Sequence, residues 1–212
     1  LPVHEVRIRG HFGSCKQIGY NRALGMTSLY PRIVGDRWRE LPERLRRCFE
    51  VPSVPTVNAE MRASGHFRVR WGDRALARWL ARLGGLPRTG ERVEVELTVT
   101  SDAEGETWRR RFGSDELVTR QWEERGLLTE RAGSLELRFR LSVSNGRLFF
   151  QQEGAVLKVG VARISLPRWL SPRVSACAWE QGQMQVSVEV SFPGVGLLCG
   201  YEGSLERTEI PQ

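Results

Sequence analysis

The chain has 212 residues, 40% of them hydrophobic and 27% charged, with a formal net charge of +7. That length suits a single domain with a sizeable core, and no apolar run reaches the roughly 20 residues a membrane-crossing helix needs. The basic excess is nearly all arginine, with Lys16 and Lys158 the two lysines, and acids are interleaved with it throughout. Such mixing argues against a nucleic-acid partner, which calls for basic side chains gathered on one face.

Residues 1–25 show no sustained periodicity and no apolar segment of the kind a cleavable signal carries. The first methionine is Met26, so 1–25 is expected to be a leader, non-native or disordered, and 26–212 a single β-rich domain. From Ser28 the chain reads as two short helices. Gly35 ends the first, Asp36 offers a second cap, and Pro42 fits the first turn of a helix running to about Phe49. Trp38, Leu41, Leu45, Cys48 and Phe49 fall on one stripe, as a helix covering one end of a sheet requires. Residues 51–58, with Pro52 and Pro55, read as an extended linker.

A strand follows, with Ala63, Gly65, Phe67, Val69 and Trp71 on one face and His66 on the other. Asp73 then caps a predicted helix to Leu83, stopped by Gly84-Gly85 and Pro87. Its stripe of Leu76, Trp79, Leu80 and Leu83 is the ordinary pattern of a helix packed on a sheet. The flanking Arg74, Arg78 and Arg82, together with the tryptophan, are also the pattern of a helix lying in a membrane interface. A second apolar tip, Trp169 and Leu170 between Arg168 and Arg173, would reinforce such a contact. The membrane-contact set is therefore Arg74, Arg78, Trp79, Arg82, Leu83 and Trp169.

Beyond Gly90 apolar and polar residues alternate strand after strand, as in Val93, Val95, Leu97 and Val99, or Met184, Val186, Val188, Val190 and Phe192. A period of two places one apolar row on one face of a half-buried strand. Turn signals separate the strands, Asn145-Gly146 being the strongest because both residues tolerate positive φ. Gly160 to Pro172 reads as a loop or single helical turn. The expected fold is mainly β: an antiparallel barrel or strongly curled sheet of about ten strands with short N-terminal helices. A helix-grip α+β arrangement is the alternative.

Chemistry is sparse in this sequence. Cys15, Cys48, Cys177 and Cys199 make no zinc or CxxC spacing and are expected as free thiols. Of three histidines only His66 lies beyond residue 25, so no catalytic triad, metal site or cofactor site assembles from sequence. Glu123, Glu124 and Glu130 read as exposed turn acids. The misfits are arginines. Trp108, Arg110 and Phe112 share one strand face, and Val118, Arg120 and Trp122 share one on the next. If these faces look inward, Arg110 and Arg120 require an acid or an anionic ligand, because an unpaired buried charge is costly. Trp108, Arg110, Phe112, Arg120 and Trp122 are thus the candidate ligand-binding residues.

The runs SLYPRIVGDRWRELPERLRRCFE at 28–50, DRALARWLARLGGLP at 73–87, ETWRRRFG at 106–113, ISLPRWLSPRVSACAWE at 164–180 and FPGVGLLCGYEGSL at 192–205 resemble an uncharacterised bacterial family, domain of unknown function 4166. The resemblance supports Met26 as the start. It implies a domain found alone or fused behind nucleotide-binding reductase-like domains, and it brings no catalytic residues. The expectation from architecture is non-enzymatic binding of a small apolar or anionic amphipathic, lipid-like ligand. The protein would be cytoplasmic or peripheral to the inner membrane. An enzyme or accessory domain serving an oxidoreductase partner is the competing class.

Overall fold

The structure, a computed structural model, describes residues 28–51 and 59–208. The expectations for residues 1–25, the Met26 start and most of the 51–58 linker lie outside them. Three short elements come first: helix α1 (Leu29–Val34), a 3-10 turn (Gly35–Glu40) and helix α2 (Glu43–Phe49). Gly35 ends α1 at φ 70, and Pro42 takes the cap position of α2 rather than its first turn. Strand β1 (Ala59–Trp71) leads to helix α3 (Ala75–Leu83). Ten strands follow: β2 (Gly90–Asp102), β3 (Gly105–Phe112), β4 (Asp115–Glu124), β5 (Leu127–Ala132), β6 (Leu135–Ser144), β7 (Arg147–Val159), β8 (Ala162–Ser165), β9 (Arg173–Gln181), β10 (Gln183–Phe192) and β11 (Gly196–Thr208).

All neighbouring strands are antiparallel. β6 also pairs with β7, which joins the two flanks of the sheet and closes a ten-stranded barrel. β8 stands outside that ring on the free half of β7. The sheet wraps on itself and not on a helix, so the barrel and not the helix-grip alternative is correct. The segment expected as a loop at 160–172 contains this extra strand, whose Val159–Ala162 and Val156–Ser165 pairings extend β7.

Turn length decides which side chains look inward. Two-residue links join β2 to β3, β3 to β4, β4 to β5, β5 to β6 and β6 to β7. A two-residue link pairs residue i with i+3, so the inward set changes from odd to even numbers at each link. Leu97 faces Arg110, Arg110 faces Leu117, Gln121 faces Glu130, and Glu130 faces Leu137. Arg125-Gly126 and Asn145-Gly146 both take positive φ at each residue, as tight hairpins need.

One seam departs from regular pairing. β9 meets β7 over Leu148–Gln151, and above this the two strands part. The Gln152 side chain fills the gap like a piece of strand. Its Nε2 donates to the Pro172 carbonyl at 2.8 Å and its Oε1 accepts from the Val174 amide at 2.7 Å.

The two ends of the barrel differ. At one, α1 and α2 lie across the turns, with Arg44 donating to the Gly182 carbonyl at 2.9 Å and Tyr30, Trp38, Leu45 and Phe49 buried. The expectation of helices covering one end is met. At the other end the links β1–β2, β3–β4, β5–β6, β7–β8 and β10–β11 emerge, and α3 leans against β11 and β1. α3 is seated through Ala77 and Ala81, both buried, while Leu76, Trp79 and Leu83 are exposed. Of the apolar stripe expected to pack on the sheet, three residues are therefore exposed and Leu80 is half-buried at the cavity. Asp73 makes no side-chain cap; the cap position falls on Arg74.

Candidate functional site

The barrel is filled at the closed end and hollow above. Tyr30 and Phe49 from the helices meet Trp108 and Phe150 from the wall, with ring centroids 4.7 to 6.5 Å apart. Such aromatic contacts form a dense floor. Above it lies a cavity of about 770 Å³ that reaches the rim at Leu83–Leu86, Gly133-Ser134, Pro172 and Phe192. Its walls are mainly aliphatic: Leu97, Leu117, Leu137, Val174, Val186 and Val188 among others. Small side chains make the space. Ala176 and Ala178 stand where a larger residue would reach across.

One polar cluster interrupts this lining. Arg110 donates to Thr119 Oγ1 at 2.9 Å, and both of its terminal nitrogens reach Glu130 Oε1 at 3.3 Å. Its guanidinium also stacks over the Trp108 ring, 5.0 Å from the centroid. Burial opposes the charge on Arg110, but Glu130, with Tyr201 and Tyr30, more than offsets it and the arginine is held above its ordinary value. The Tyr30 hydroxyl donates to Gln121 Oε1 at 2.6 Å. Burial pushes the Tyr201 phenol up to about 12, against the pull of the nearby Arg110 charge. Arg110 and Glu130 are 17% and 19% exposed, and both line the cavity, so their free surface faces its interior.

Glu106 sits below this cluster, fully buried. The Trp108 indole N–H donates to its Oε2 at 2.9 Å, and the Leu29 amide also contributes a bond. Its Oε1 has no partner among the described residues. Burial pushes the carboxyl up to about 7, the two bonds and the more distant Arg32 and Arg120 opposing that rise. Below about pH 7 the protonated form of Glu106 leaves the floor uncharged where α1 meets the barrel.

Of the five ligand-site residues expected from sequence, Trp108, Arg110 and Phe112 line the cavity. Arg120 and Trp122 do not join them. The β3–β4 register pairs Arg110 with Leu117 and puts Thr119 and Gln121 inside, so Arg120 and Trp122 look outward. There Arg120 bonds Asp102 at 2.8 Å and Thr107 at 3.0 Å, and Trp122 carries the Arg131 guanidinium at 5.8 Å. Glu130, read as an exposed turn acid, is the inward partner of Arg110 instead. Tyr30, Gln121 and Tyr201 were not among the sequence candidates, although counting parity through the two-residue turns places Gln121, like Glu130, inside.

The membrane-contact set divides differently. Trp79, Leu83 and Trp169 are exposed at the open end. Arg74 donates to the Gly194 carbonyl, Arg78 to the Asp73 carbonyl, and Arg82 lies 5.6 Å from the Trp71 ring. Cys48, Cys177 and Cys199 are free thiols, the first and last buried; burial pushes the Cys199 thiol up to about 12. Among the described residues no group of His, Cys, Asp or Glu could hold a metal ion, and no helix is long and apolar enough to cross a membrane.

Fold and interior together define a closed antiparallel barrel with a plugged base, a hollow upper half and an Arg110–Glu130 ion pair inside it. The family described as Domain of unknown function (DUF4166) matches residues 41–205, and the chain belongs to it. Neither the curated proteins nor the solved structures yield a match.

Proposed function

We propose that the barrel binds a lipid-like ligand with an apolar body and a single uncharged polar head. The observation that carries this is the cavity of about 770 Å³, within the roughly 300–1,000 Å³ of small-molecule sites, with one polar cluster among aliphatic walls. The apolar body lies against Leu97, Leu137, Val186 and Val188, where burial contributes about 0.8 kcal/mol per methylene. The head meets Arg110, Thr119, Glu130 and Tyr201, which together offer donors and an acceptor. The charge of Arg110 is already matched by Glu130. A carboxylate or phosphate head would have to sit beside Glu130, so a hydroxyl, carbonyl or ester fits better than the anionic head expected from sequence alone.

Native mass spectrometry of gently purified protein should show a retained small molecule. After delipidation, a long-chain fatty alcohol should bind at least about tenfold more tightly than the fatty acid of equal chain length at neutral pH. A preference for the acid would overturn the assignment of the head. Retention of neither would overturn binding altogether.

A further inference from the structure

We infer that the open rim of the barrel docks onto a bilayer surface bearing anionic headgroups, so that the cavity mouth faces the lipid. Three separate stretches of chain carry exposed apolar side chains at this end. Helix α3 presents Leu76, Trp79 and Leu83, the β7–β8 turn presents Val161, and the approach to β9 presents Trp169 and Leu170; all are exposed. Trp79 is 58% exposed, Leu83 71% and Trp169 71%. Among the described residues, no large apolar side chain of the plug helices or of the turns at the closed end is comparably exposed. Exposed apolar residues gathered on one end mark an interaction surface.

Charge and shape select the occupant. The link 72–89 carries four arginines and one acid, Asp73, and the link 160–172 carries Arg163 and Arg168 and no acid. Arg74, Arg78 and Arg168 have no ion-pair partner among the described residues, whereas Arg163 is tied to Glu136 at 2.7 Å and Arg88 to Asp115 at 3.3 Å. Unpaired arginine beside exposed tryptophan and leucine suits the headgroup layer, where amphipathic rings settle and anionic lipid attracts cations. The apolar tips stand on separate segments, and Leu83 and Pro172 beside them line the cavity mouth, so a broad soft surface meets them together more readily than a peptide or a helix does.

Because Leu80 and Leu83–Leu86 belong both to α3 and its exit and to the cavity mouth, seating α3 in a membrane brings the entrance to the acyl region. Docking is independent of the cavity reading; only the passage of a ligand through the mouth rests on it.

Flotation with phosphatidylcholine vesicles, alone or with about a third phosphatidylserine, tests the inference. The protein should float with the anionic vesicles and far less with the neutral ones. Trp79→Ser with Leu83→Ser should reduce the bound fraction at least about tenfold with an unchanged circular dichroism spectrum and melting temperature. Arg74→Gln with Arg78→Gln should remove the preference for the anionic vesicles. Brominated phospholipid should quench the fluorescence of the wild type but not of Trp79→Ser/Trp169→Ser. No flotation, or equal flotation of wild type and Trp79→Ser/Leu83→Ser, would overturn the inference. So would a concentration-dependent dimer in sedimentation that those substitutions abolish, since a second copy would then cover the rim. The paired variant Arg110→Met/Glu130→Leu should float as the wild type does. If ligand retention fails while flotation persists, the cavity reading alone falls; the reverse outcome removes the docking alone.

Discussion

The plugged base and the open rim are built from similar residues put to opposite uses. At the base, Tyr30, Trp38, Leu45 and Phe49 are 5% exposed or less, and a carboxyl drawn in with them, Glu106, is pushed up to about 7 by its burial. At the rim, α3 carries as much leucine and tryptophan but buries only Ala77 and Ala81. Both ends are amphipathic in sequence. The difference lies in which stripe faces the barrel, and it separates a hydrophobic core from a hydrophobic surface.

Four tests sharpen that contrast. The largest effect is expected at the floor: Trp108→Ala removes a buried indole and a donor to Glu106, and should cost about 3–5 kcal/mol in urea denaturation. Next is the pH dependence of Glu106. Its native carboxyl titrates at about 7 against an ordinary 4.5, so between these values the native state holds a proton that the unfolded chain releases. Stability should therefore fall as the pH rises through that window and level off above about 7, by about 3 kcal/mol in all. Glu106→Gln, which keeps an acceptor for Trp108, should flatten that slope; an unchanged slope would assign the effect to other groups.

The internal ion pair comes third. Glu130→Leu leaves Arg110 facing an apolar cavity and should cost about 2–3 kcal/mol, less than in a dry core because the cavity admits water. Adding Arg110→Met should return stability close to wild type, a coupling that a double-mutant cycle measures directly. The ligand should then bind about tenfold more weakly, through loss of its head contacts. The smallest effect is expected at the rim: Trp79→Ser should change stability by no more than about 0.5 kcal/mol. A loss of several kcal/mol there would mean that α3 belongs to the core, and the contrast between the two ends would collapse.

Much of the wall was legible because alternation along a strand is a local property. Met184 to Phe192, Val93 to Val99 and the Asn145-Gly146 turn follow from neighbouring residues alone. That Trp108, Arg110 and Phe112 share one strand face was legible too, though not that this face looks inward. Arg120 and Trp122 misled because tryptophan beside arginine looks the same on either face, and only the register across Gly113-Ser114 separates them. The signal was present in the length of that turn. The seating of α3 on two alanines was not legible: a leucine and tryptophan stripe offers more burial than Ala77 and Ala81, and nothing local says which stripe β11 and β1 receive. Tyr30 in the floor depends on contacts 91 residues apart, beyond any periodicity.

The Gln152 side chain has a consequence for how the wall moves. Elsewhere the strands are joined by peptide groups, whose release requires the chain itself to bend. At the upper β7–β9 seam the joint is a rotatable amide that spans from the Pro172 carbonyl to the Val174 N–H. A single change of rotamer unlatches it while both neighbouring ladders stay whole. The barrel thus has a side latch as well as a mouth, and the deuterium exchange rate of the Val174 amide reads its opening directly.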